Sequence, residues 1–101
     1  MSTPKMYLLV RKDLEQTYRC VQATHALVLF FQRYPELFNE WNNGYLIFLG
    51  VQNLKALRVW AEKLSYVGKS FACYKELDLD EQMTAIACYD TGEVFSKLKV
   101  A

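Results

Sequence analysis

Two groups of polar side chains have types and spacing that could do chemistry. The first is Arg11, Lys12, Gln16, Tyr18, Arg19, Gln22 and His25. Its cations would hold a phosphate beside a helix amino terminus, where free backbone N–H groups converge. Gln22 and His25, spaced to share a helix face with Leu29 and with Tyr18 one turn earlier, would meet a sugar or a base. His25 is the only histidine, the side chain that exchanges protons near neutral pH. The second group is Glu76, Asp78, Gln82 and Thr84. Its carboxylates and amide can orient a ligand's hydroxyl or amino groups, but the run to Glu81 offers no histidine and no calcium-loop pattern, so no metal is expected. Each group also has a plainer reading. A histidine amid Ala23, Thr24 and Ala26 reads first as a packed, hydrogen-bonded side chain, the cations as a solvated rim, and the acidic run as a turn. Tyr18, Tyr74 and Tyr89 read most simply as core or interface aromatics.

These groups must be held by regular elements. Met6–Val10 is a short apolar run ending at Arg11-Lys12-Asp13, which reads as a strand buried on both faces. Between Glu15 and Arg33 there is no Gly or Pro, and Val21, Thr24, Val28 and Phe31 recur at helical spacing, widened by Ala23, Leu27 and Phe30. Tyr34-Pro35 ends this helix and opens a shorter one to Trp41, and Asn42-Asn43-Gly44 is a turn. Tyr45–Val51 (YLIFLGV) is apolar on both faces, unlike an exposed edge strand. Asn53 caps a helix with Leu54, Leu57, Ala61 and Leu64 as its stripe and Gly68 as its stop. Ser70–Leu77 and Thr84–Tyr89 read as further strands, and a last short helix is expected over Gly92–Val100. Ligands in such open sheets collect where strands end and helices begin, and that rule selects both polar groups.

Composition narrows the class. At 101 residues, 52% hydrophobic and 23% charged, the chain suits one domain over 1–101. Twelve basic against eleven acidic residues leave a net charge of +1, so no long-range field draws in a polyanion and any nucleic-acid contact must be local. Cys20, Cys73 and Cys88 form no metal or redox spacing, and an odd count suits reduced thiols. The longest apolar run, Ala26–Phe31, is far short of the ~20 residues of a membrane span, and the start lacks the apolar stretch of a signal peptide. A cytoplasmic protein is expected. Phe30, Phe31, Tyr34, Phe38 and Trp41 crowd one region of a chain too small to bury every aromatic it carries, which predicts a homodimer or higher oligomer.

The opening KMYLLVRKDL, followed by a helix carrying Gln22-Ala23-Thr24-His25 and Ala26-Leu27, resembles the class II peptidyl-tRNA hydrolases, found chiefly in archaea and eukaryotes. Pro35–Trp41 (PELFNEW), the YLIFLGV strand, the helix after Asn53 and the Thr84 strand fall in the same order, so the resemblance covers nearly the whole chain. It implies a three-layer α/β/α sandwich with a mixed four-stranded sheet, commonly dimeric. Departures gather at the positions tied to activity. Where the family has a lysine four residues before the glutamine this chain has Tyr18, with Arg19 one residue out of phase and turned by about 100° on the helix. The family's D-A-G-x-T-Q loop is shortened, with Glu76 or Asp78 near its acidic position, and Glu81-Gln82-Met83-Thr84 replaces a G-S-x-T stretch of which only Thr84 matches.

The resulting expectation is a binding protein on a peptidyl-tRNA hydrolase II-like scaffold. It would hold a nucleotide or RNA terminus without cutting it and without a cofactor, in the manner of a viral or mobile-element protein that sequesters a nucleotide signal in the host cytoplasm. One alternative is a divergent hydrolase of the peptide-tRNA ester. There His25 or a water would transfer the proton and Arg19 could only stabilise charge, because a guanidinium stays protonated. The other is a homo-oligomeric interaction module without a ligand.

Overall fold

The computed structural model describes residues 3–98. Its strands are β1 (Lys5–Arg11), β2 (Leu46–Val51), β3 (Ser70–Glu76) and β4 (Gln82–Asp90), and its helices α1 (Gln16–Arg33), α2 (Pro35–Trp41) and α3 (Leu54–Tyr66). The strands form one four-stranded mixed sheet in the order β2-β1-β4-β3. β1 and β2 are parallel, as a helical crossover requires, and β4 runs antiparallel to both its neighbours. The two central strands carry the apolar runs. Met6, Leu8, Val10, Ala85 and Ala87 face α1 and α2, while Tyr7, Leu9, Ile86 and Cys88 face α3. A helical layer thus covers each face of an α/β sheet.

β2 departs from its sequence. Tyr45–Val51 reads as an interior strand, yet β2 lies at the sheet's edge. Its apolar side chains are explained by the layers above and below: Phe48 packs toward α1 and α2, Leu49 and Val51 toward α3.

α1 is also turned from the face that its spacing predicts. Val21 and Val28 are 45% and 52% exposed, and the buried side is Gln22, Ala23, Ala26 and Phe30. Ala23 and Ala26 meet the equally small Ala72, Ala85 and Ala87 in one core cluster, so helix and sheet approach closely where β-branched valines would hold them apart. Fit, rather than total hydrophobicity, sets the rotation.

The break at Tyr34-Pro35 is present, with Pro35 in the first turn of α2. Asn42 and Asn43 turn the chain with φ of 48° and 56°, in the left-handed region that asparagine tolerates. The aromatic crowd expected to be an interface instead packs within the protomer. Phe30 and Trp41 are buried, Phe31 stacks on Trp41 with centroids 5.6 Å apart, Tyr34 lies 4.8 Å from Phe30, and Phe38 alone of the five is exposed.

Asn53 caps α3 by accepting the Ala56 N–H at 3.0 Å. Gly68, at φ +75°, ends it, and Lys69 N–H returns to Leu64 O. Lys69 then pairs with Asp90 at 2.8 Å. Burial pushes the Asp90 carboxyl up, but the Lys69 ammonium and the Gly92 N–H outweigh it and hold it below the usual range. The last helix is not formed in its described part. Glu93–Phe95 makes a short 3-10 turn with Phe95 against Tyr7 and Trp60, and residues 99–100 of the expected helix lie outside the described residues. The cysteines are free, and burial pushes the Cys88 thiol up to about 12. Among the described residues no helix is long and apolar enough to cross a membrane.

Candidate functional site

The site is made by one irregularity. Tyr74 lies opposite Ala85, but Lys75 lies opposite Met83, which leaves Thr84 as an extra residue on β4. Met83 packs toward α3 while Ala85 packs toward α1. Residues two apart on a regular strand share a face, so the alternation has been inverted at Thr84 by a β-bulge. The bulge turns Thr84 toward α1, where its hydroxyl donates to Gln22 Oε1 at 2.6 Å.

Gln22 is fully buried and continues the chain, with Nε2 donating to Glu76 Oε1 at 2.9 Å. The other Glu76 oxygen accepts the Asp78 N–H at 3.2 Å. Only one orientation of the Gln22 amide serves both neighbours, because a carboxylate must receive a donor. The Gln22 amide first, and the Asp78 N–H second, hold the Glu76 carboxyl below its ordinary range. Burial and then the charge of Glu76 push the neighbouring Tyr18 phenol up. His25, exposed rather than packed away, stacks on Tyr74 with centroids 4.6 Å apart and planes inclined by 15°. Tyr74 and Glu76 are two apart on β3 and share its α1 face. The result is a half-buried carboxylate of fixed orientation, bordered by a protonated phenol and a stacked pair of rings. Such a set can accept hydrogen bonds from ribose hydroxyls or base amino groups and present a π surface beside them. Thr17, Cys20, Val21 and Thr24 border His25 on its solvent side in a shallow depression.

The cations are arranged differently. Arg11 is 7% exposed and forms a bidentate pair with Asp13 at 3.0 and 2.8 Å. Its remaining nitrogen reaches Gln82 Oε1 at 2.9 Å and Met83 O at 3.2 Å. The Arg11 hydrogen bonds hold the Asp13 carboxyl low. Arg19 donates to Leu14 O at 2.7 Å and to Lys12 O, tying the loop between β1 and α1 to the helix it precedes. The helix amino terminus already has its anion, because the Glu15 carboxylate accepts the Tyr18 N–H at 3.0 Å. The Lys12 stem lies over Gly50 on the β2 side, and Gln16 is exposed at the start of α1.

Of the residues singled out in the sequence, Tyr18, Gln22, His25, Glu76 and Thr84 therefore converge, with Asp78 contributing its backbone N–H. Gln82 joins Arg11, while Lys12, Gln16 and Arg19 belong to the loop and the first turns of α1. The structure adds Tyr74 as a ring partner and Asp13 and Glu15 as counter-charges. The Arg-x-Asp spacing and an acidic residue just before a helix were the available signals. Among the described residues no group of three His, Cys, Asp or Glu side chains is placed to hold a metal ion. No protein-family model and no curated protein sequence matches this chain.

Proposed function

We propose that this protein binds a nucleotide or an RNA terminus without cleaving it, with the sugar or base seated at Glu76 and the His25–Tyr74 rings and with buried Gln22 holding Glu76 in place. The observation that carries this reading is the Thr84–Gln22–Glu76 relay, which fixes an acceptor carboxylate beside the His25–Tyr74 rings. The order of the elements and the placing of Gln22, His25 and Thr84 support a peptidyl-tRNA hydrolase II-like scaffold. Tyr18, standing where that family carries a lysine, supports the absence of turnover. A phenol is neutral at physiological pH, so it offers a hydrogen-bond donor and brings no positive charge to a transition state. Because Arg11 and Arg19 are engaged by Asp13 and by loop carbonyls, binding on this reading is led by the base and sugar rather than by phosphate. Sequestration of a nucleotide signal in the cytoplasm, as by a viral or mobile-element protein, is the biological role that follows.

A second reading keeps the ester hydrolysis of peptidyl-tRNA. His25 is exposed and its ring is held by stacking on Tyr74, which leaves an imidazole free to act as a base toward water. Native mass spectrometry of the purified protein, followed by equilibrium binding of the four nucleoside monophosphates and of a short RNA ending in CCA, tests the first reading. The expected result is retained or saturable binding with no release of peptide from peptidyl-tRNA. Turnover lost in His25→Ala would establish the second reading, and a protein that binds none of these probes would leave neither standing.

A further inference from the structure

We infer that the outer edge of β2 pairs with β2 of a second copy of this chain, running antiparallel across a two-fold axis and joining two sheets into one. Tyr45 O accepts the Met6 N–H at 3.0 Å and Val51 O accepts the Lys12 N–H at 2.7 Å, so residues 45, 47, 49 and 51 turn their backbone groups toward β1. Leu46, Phe48 and Gly50 consequently turn theirs outward, where no described strand meets them. Gly50 is buried with the Lys12 stem across it, so the open stretch runs from Tyr45 to Phe48.

The two edges of the sheet are protected unequally. β3 carries Lys75 and Glu76 and lies against the Thr84 bulge, all features that discourage a further strand. β2, with the sequence LIFLGV, has no charge, no proline and no register shift. A strand composed like an interior strand, yet placed at an edge with open backbone groups, fits a sheet that continues beyond the protomer. A two-fold axis requires the surface to complement itself, and an uncharged strand sets no like charges against each other. Centred on Ile47, the pairing would set Leu46 of one copy opposite Phe48 of the other, and each such pair exchanges two hydrogen bonds. Tyr45 and Leu46 are 64% and 48% exposed and would close over the junction. Beside them lies a depression lined by Phe38 and Trp41 together with Asn39, Asn42 and Asn43, with Trp41 bonded through Nε1 to Tyr45 O.

Analytical ultracentrifugation and residue-resolved amide exchange on the full chain test the inference, whatever ligand Glu76 and its neighbours take. At micromolar concentration the wild type is expected at twice its 11.8 kDa chain mass, with Leu46 and Phe48 amides protected and the protection fading on dilution. Leu46→Pro removes one outward donor, and Leu46→Lys places like charges near the axis. Each should weaken association by about tenfold or more, while Val28→Lys on the open face of α1 should leave it unchanged. A monomer at every concentration, a dimer indifferent to both Leu46 substitutions, or a dimer dispersed by Val28→Lys would overturn it. Should both Leu46 variants fail to fold, wild-type exchange decides alone, and Leu46 and Phe48 amides whose rates ignore concentration would refute the pairing.

Discussion

Two polar clusters lie at the same end of the sheet, one centred on Arg11 and the other on Gln22, and they differ in what they leave available. Arg11 is matched by Asp13, Gln82 and the Met83 carbonyl. Glu76, in the other cluster, receives two hydrogen bonds but remains half-buried, with Tyr18 and the His25–Tyr74 rings around it. Strand ends gather both kinds of cluster, so location alone does not identify a site. The discriminating property is uncompensated charge at the surface: Asp13 is exposed but neutralised by its bidentate pair with Arg11, whereas Glu76 is held by an amide and a backbone N–H and has no ion-pair partner among the described residues.

The contrast is sharpest at the two central residues. Gln22→Ala opens a cavity beneath α1 and leaves the Thr84 hydroxyl and Glu76 without their partner, so a loss of about 2–4 kcal/mol in unfolding free energy is expected, together with loss of ligand binding. Arg11→Ala removes a nearly buried guanidinium and strands Asp13 and Gln82. Denaturant titration should show about 1–3 kcal/mol lost, with nucleotide affinity unchanged in the folded fraction. If Arg11→Ala instead weakened binding at constant stability, the assignment of the two clusters would be reversed.

Smaller effects separate charge from shape. Glu76→Gln keeps the size of the side chain but removes its negative charge and sets an amide NH2 against either Gln22 Nε2 or the Asp78 N–H, so calorimetric titration should show affinity falling by about tenfold, with a drop in melting temperature smaller than that of Gln22→Ala. Proton linkage acts on both clusters. Asp13, Glu76 and Asp90 all have carboxyls held below their ordinary range in the folded protein. The stability they contribute is present above their unfolded values, near pH 4, and is lost as pH falls through the folded ones. Melting temperature should therefore be level from about pH 5 to 8 and decline below about pH 4, less steeply in Asp13→Asn. Arg19→Ala, which frees only two loop carbonyls, should cost no more than about 1 kcal/mol and leave binding intact.

What could be read from the sequence follows the range of the forces involved. The caps at Asn53 and Gly68, the break at Tyr34-Pro35 and the buried runs of β1 and β4 are local signals, and each appears where the pattern puts it. The rotation of α1 was hidden because it depends on Ala23 and Ala26 meeting alanines on β3 and β4, a contact between distant segments. β2 was misplaced for a related reason, since burial on two faces says nothing about how many edges are paired. In the site, the residue types Gln22, His25, Glu76 and Thr84 were legible, but their connectivity was not. The bulge that aims Thr84 at Gln22 has no glycine or proline to mark it and arises from the register of two strands. The cations are legible in type and position, but their partners, Asp13 for Arg11 and loop carbonyls for Arg19, are set by the folding of the loop between β1 and α1.

The central claim is that ligand is held at the Glu76 carboxylate and the rings beside it and not at the arginine loop. Its most direct test is a titration of isotopically labelled protein with the four nucleoside monophosphates and a CCA-ended RNA, followed by two-dimensional amide and aromatic NMR. Saturable shifts are predicted at Tyr18, Gln22, His25, Tyr74 and Glu76 with at least one probe, greatly reduced in Glu76→Gln. Shifts confined to the segment from Arg11 to Arg19, or no saturable shift with any probe, would contradict it.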